Sequence, residues 1–188
     1  MSTTAPDIEN IKHEYRRDIA KFQKMLRVMH SISDIRYIYS YLSNLEVNIS
    51  HEFIMLSEAL TTSLVIGYGR LFTETDGVTR LNSELIPENI KPLHEQIMGL
   101  RHERYAHHGD HESVSTNIDI KLNDGSITVN SNLEYVLCLG APKEWAPLFK
   151  WLDEHIWEKA HAELEKLSKK TGLQWEMPSG PAPYWIPE

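Results

Sequence analysis

The apolar residues of this chain keep two different spacings, and the place where one gives way to the other restricts the fold most. Over residues 114–130 the period is two: Ile118, Ile120 and Leu122 alternate with polar residues, then Ile127 and Val129 follow across Asn123-Asp124-Gly125-Ser126. Alternation gives a strand one apolar and one polar face, and Asp-Gly between two such runs is the turn of a β-hairpin. Residues 134–139 offer a third strand. Elsewhere the period is three to four, as in helices with one apolar stripe.

Ile8, Ile11, Tyr15, Ile19, Phe22, Leu26 and Met29 predict a first helix over about 7–30, with Asp7 after Pro6 as its N-cap. The region 33–71 is too long for one ordinary globular helix, and Asn48 and Ser50 place the break within 44–50. Its second half, with Phe53, Ile54, Leu56, Leu60, Leu64, Val65 and Tyr68, is apolar on more than one side and is expected in the centre of a bundle. Residues 73–80 read as a loop turning at Asp76-Gly77. Pro92 then suits a helix start, and Leu93, Ile97, Leu100, Arg104 and His107 share a stripe that ends before Gly109. A last long helix carries Trp145, Leu148, Leu152, Ile156, Ala160, Leu164 and Leu167 and stops at Gly172. The expected fold is therefore mainly α: an antiparallel helical bundle with a small β-hairpin insertion, about 113–140, before the last long helix. Residues 7–172 are expected to form one domain, because a lone hairpin needs the helices to pack on. Residues 173–188, with Pro178, Pro181, Pro183 and Pro187, are expected to be an extended tail whose Tyr184 and Trp185 dock on the body or on a partner.

With 41% hydrophobic and 24% charged residues among 188, this is the composition of a folded globular chain. Nineteen Lys plus Arg against 27 Asp plus Glu leave a net charge of −8, which opposes charge-driven binding to DNA, RNA or an anionic membrane. Any contact with RNA is thereby confined to a local pocket, and DNA is not expected as a partner. Cys138 is the single cysteine, so there is no intramolecular disulfide and no multi-cysteine zinc site, as suits a reducing compartment. Neither a signal-peptide pattern nor a long uncharged apolar run occurs, so a cytoplasmic protein without a membrane span is expected. Gly67-Tyr68-Gly69-Arg70 lacks the third glycine and the strand-to-helix setting of a phosphate loop.

The chemistry concentrates in one segment. Of ten histidines, His102, His107, His108 and His111 fall within ten residues, beside Arg101 and Arg104. Leu100-Arg101-His102-Glu103-Arg104-Tyr105-Ala106-His107-His108 resembles the R-x(4–6)-H signature of the HEPN superfamily. The helix ending Ile66-Gly67-Tyr68-Gly69-Arg70-Leu71-Phe72 is similar to the upstream helix of its abortive-infection branch. The resemblance, spread over roughly 10–170, implies a helical bundle, a homodimer whose Arg and His residues meet at the interface, and metal-independent RNA cleavage. It further implies antiphage defence or a toxin–antitoxin setting, with an antitoxin or regulatory protein as partner and no cofactor. Carried over, Arg101 neutralises the scissile phosphate and His107 acts as general acid or base, with His102 and Arg104 in support. The family more often has Asn or Asp where this chain has His102.

Helical geometry leaves the choice of histidine open. In a regular α-helix Arg101 and His107 stand about 120° apart, whereas His108 lies within about 20° of Arg101, so His108 is the alternate. Other readings compete. His107 continues the apolar stripe and suits a buried histidine at a helix end, with Arg101 paired to Glu95 or Glu103. His102, His107, His108 and His111, with Asp110 and Glu112, also offer metal ligands, although their spacing is not that of His-Glu-x-x-His. Arg70 is expected to line the same cleft as Arg101. The alternative to catalysis is a dimerisation or protein-interaction module that uses the bundle face and the tail.

Overall fold

The computed structural model describes residues 8–48, 50–73, 80–105, 114–123, 125–135 and 140–178. It is mainly helical: α1 (Ile8–Glu14), α2 (Arg16–Ser43), α3 (His51–Phe72), α4 (Lys91–Leu100) and α5 (Ala146–Thr171), with a hairpin of β1 (Val114–Asn123) and β2 (Ser126–Tyr135) before α5. The expected break between 30 and 33 does not exist, because α2 runs straight through it. Ser31 and Ser33 stay helical by donating their hydroxyls to Arg27 O and Met29 O, both at 3.1 Å. The interruption falls at Tyr15 instead, and even there Tyr15 N–H reaches Ile11 O at 2.9 Å and Ile19 N–H reaches Tyr15 O at 3.0 Å. The break expected within 44–50 is present, and Ser50 caps α3 by accepting from Phe53 N–H at 3.1 Å.

The inward face of α2 is Phe22, Met25, Val28, Ile32, Ile35, Tyr39 and Leu42. Leu26 and Met29, expected inside, are only partly buried. This spine packs against α3 and α5, where Leu64, Val65, Tyr68, Leu148 and Leu152 have no exposed surface. The pairs Lys170–Asp18 at 2.7 Å, Lys21–Glu163 at 2.8 Å and Arg36–Asp153 set α2 and α5 antiparallel. One end of the bundle is closed by the segment entering α5. There Gly140 N–H donates to Ser57 Oγ at 3.0 Å, and the Tyr39 hydroxyl donates to Pro142 O and Lys143 O at 3.1 Å.

α5 stops at Gly172 as expected, and the chain folds back on it: Trp175 N–H donates to Ser168 Oγ at 3.0 Å and Trp175 Nε1–H to Thr171 Oγ1 at 2.9 Å. Tyr184, Trp185, Asp7, Cys138 and the Asp76-Gly77 turn lie outside the described residues, as does 136–139 of the expected third strand. The hairpin turn has Gly125 at φ +84°, which glycine adopts without strain. Contrary to expectation the ribbon does not bury a face on the helices, for its described side chains are exposed on both sides. Among the described residues no helix is long and apolar enough to cross a membrane.

Candidate functional site

α4 begins with Pro92 in its first turn and presents His94 and Ile97 to the core. At Arg101–Tyr105 it widens into a π-helical turn, so angles drawn for a regular α-helix do not carry past Leu100. Single wide turns of this kind are frequent at functional sites. Two arginines leave this turn toward α3, and the structure uses them differently.

Arg104 is buried to 2% of its side-chain surface, and its Nη2–H donates to Glu58 Oε1 at 3.0 Å. It ties the turn to α3 rather than facing solvent. Arg101 is half-buried and lies across Gly69, where a Cβ would stand 2.9 Å from Arg101 Cγ and 3.1 Å from Cδ. Only a glycine gives the guanidinium stem that path over the helix. The Arg101 Nη1–H group reaches His102 Nδ1 at 3.1 Å, with His102 itself exposed. Neither Glu95 nor Glu103 pairs with Arg101, and among the described residues no carboxylate does.

His107, His108 and His111 lie outside the described residues, so the choice between His107 and His108 is not read from the structure. Of the four histidines considered as metal ligands, His102 alone is described, and among the described residues no cluster of three or more His, Cys, Asp or Glu side chains forms. Arg70 does not join Arg101. It lines a cleft of about 630 Å³ between α2 and α3 with Ser31, Asp34, Thr62 and Ser63. The reason is helical geometry: Gly69 and Arg70 are neighbours, turned about 100° from one another.

Two partners escaped the sequence reading. The buried histidine of α4 is His94, whose Nδ1 lies 2.7 Å from the Tyr68 hydroxyl, with the Phe72 ring 4.5 Å away edge-on. Burial pushes the Tyr68 hydroxyl well above the ordinary phenol range. Burial holds the His94 imidazole below its ordinary value, with Glu95 opposing and Lys91 adding to the shift. The signal for Glu58 was its place in a helix otherwise apolar on several sides, where a charge requires a partner.

His94 makes stability depend on pH in a defined direction. A ring kept neutral in the fold but ionising near 6.5 when unfolded takes up a proton on unfolding, so its contribution is complete above that pH and is lost as the pH falls below it. The expected result is a fall in Tm from about pH 7.5 to about pH 5.5 that is smaller in His94→Gln, read by differential scanning fluorimetry. An equal fall in both chains would show that His94 carries no such coupling.

Comparison with protein-family models, with curated proteins and with solved structures finds no match for this chain.

Proposed function

We propose that this chain is a metal-independent, HEPN-type endoribonuclease of the cytoplasm. The observation that carries the reading is Arg101: a guanidinium held over Gly69 at the end of α4, half-exposed and with no carboxylate partner among the described residues. A cation placed by packing and left unneutralised is suited to a phosphate oxygen. In this reading the ribose 2′-OH attacks the adjacent phosphorus and the 5′-oxygen leaves. Arg101 stabilises the charge gathering on the non-bridging oxygens, and His107 moves the proton at the 2′-OH or at the leaving oxygen. The net charge of −8 confines recognition to this locality, so an RNA with a defined loop or end is a better substrate than arbitrary RNA. The resemblance of the Arg101–His107 segment supports a second copy completing the site, and a role in antiphage defence or with a cognate antitoxin.

The test is cleavage of a mixed RNA pool with EDTA present. Wild type is expected to cut, and Arg101→Ala and His107→Ala to lose at least about 100-fold in rate with unchanged circular dichroism. Gly69→Ala, which displaces the Arg101 stem, is expected to fall in between. Variants as active as wild type would remove the mechanism. One observation favours a second reading, a non-catalytic interaction module: the uncovered apolar face of the ribbon.

A further inference from the structure

Side chains are exposed from 117 to 122 on β1 and from 126 to 132 on β2. The register sets Ile120 opposite Val129, Leu122 opposite Ile127 and Ile118 opposite Ser131. Because side chains alternate along a strand, these residues share one face of the ribbon. That face is uncharged and aliphatic, with Ile118 63%, Ile120 65%, Leu122 76%, Ile127 68% and Val129 59% exposed. The opposite face is polar and carries the Lys121–Asp119 pair at 3.2 Å.

A two-stranded hairpin is at best marginally stable in water, and three or more strands or a packing surface are needed to hold one. For the described side chains, 117–122 and 126–132, the bundle does not supply that surface. We propose that a second copy of this chain does, the two aliphatic ribbon faces stacking across a two-fold axis as two sheet layers about 10 Å apart. Two observations favour a second copy. The face has no charge that a differently charged partner would be needed to match. Both strands contribute the same kind of side chain, so the surface is complementary to itself. The net charge of −8 opposes self-association, and an uncharged face is where that repulsion is least.

The area agrees with what a dimer needs. At the exposures above, each aliphatic side chain offers roughly 80 Å² of apolar surface, hence roughly 400 Å² per ribbon and roughly 800 Å² for two. Homodimer interfaces are about 65% apolar, so this corresponds to a total of about 1,200 Å², the lower bound of the standard interface size. The inference is argued from the ribbon and names the surface that meets the second copy invoked for the proposed site; the two fail separately, because a dimer that survives the ribbon changes removes the inference and leaves the cleavage reading standing.

The test is the mass of the full chain by sedimentation equilibrium at tens of micromolar. Wild type is expected at twice 21.8 kDa, and Ile120→Asp with Val129→Asp at 21.8 kDa with its helical circular dichroism intact. Thr128→Asp with Asn132→Asp adds the same charge to the polar face and is expected to stay dimeric. Amide exchange over 117–132 supplies a readout without any substitution, and is expected to quicken on dilution. A monomeric wild type, a dimer that survives the Ile120 and Val129 changes, dissociation of both variants alike, or exchange indifferent to concentration would each overturn the proposal.

Discussion

Glu58→Ala is expected to cost about 3 kcal/mol of folding stability, seen as a lower urea midpoint at unchanged slope. The Arg104 side chain keeps 2% of its surface, and the carboxylate 3.0 Å from its Nη2 comes from another helix. Removing that carboxylate takes the Glu58 charge away from a guanidinium inside the bundle, which costs more than the pair contributes. The loss lies at the lower end for buried pairs because Glu58 is itself 19% exposed and water reaches one side of the contact. Glu58→Leu combined with Arg104→Met is expected to recover more than half of the loss, since no charge is then left buried. The same pair holds the Arg101–Tyr105 turn against α3, so Glu58→Ala also loosens the seat of Arg101. A cost below about 1 kcal/mol would place the pair with ordinary surface ion pairs and deny it that holding role.

Trp145→Ala is expected to be the more damaging change, at about 4 kcal/mol. For a chain of this length that corresponds to a Tm lower by about 8–16 °C. The indole is 2% exposed and its Nε1–H donates to Gln96 Oε1 at 2.9 Å, joining the start of α5 to α4. Truncation opens a cavity where the segment entering α5 closes the bundle, beside the contacts of Tyr39 and Ser57 with the same segment. Trp145→Phe keeps most of the ring volume and loses one hydrogen bond, so about 1 kcal/mol is expected from that loss. Scanning calorimetry on both variants separates the two contributions. Equal losses would show that the Gln96 bond, not the packing, holds this end together.

Much of the chain was legible without coordinates. Gly172 ended the last helix where Trp145 to Leu167 had set its stripe, Pro92 began α4, and the Asp-Gly turn joined two strands. The boundary between α1 and α2 was not legible. The apolar stripe followed from Ile8 ends at Met29, and serines that bond back to their own helix leave no trace in spacing. The inward face of α2 was displaced by one residue for a similar reason: Met25 and Leu26 are equally apolar, and contact with α5 and α3 selects between them. In the site, the Arg-His segment stood out by composition. Which arginine is buried and which is presented did not, because Glu58 and Gly69 act on Arg104 and Arg101 from a different helix.

The sequence by itself determined that this chain is mainly helical, that a ribbon precedes the last long helix, and that the ribbon has one aliphatic face. Those properties follow from backbone geometry and hydropathy over a few neighbouring residues. The tertiary structure decided that Arg104 pairs with Glu58 whereas Arg101 meets no carboxylate among the described residues, that His94 is the buried histidine of α4, and that the described side chains of the ribbon are exposed. Each depends on which distant segments meet, since burial and counter-charge come from residues as far apart as Glu58 and Arg104.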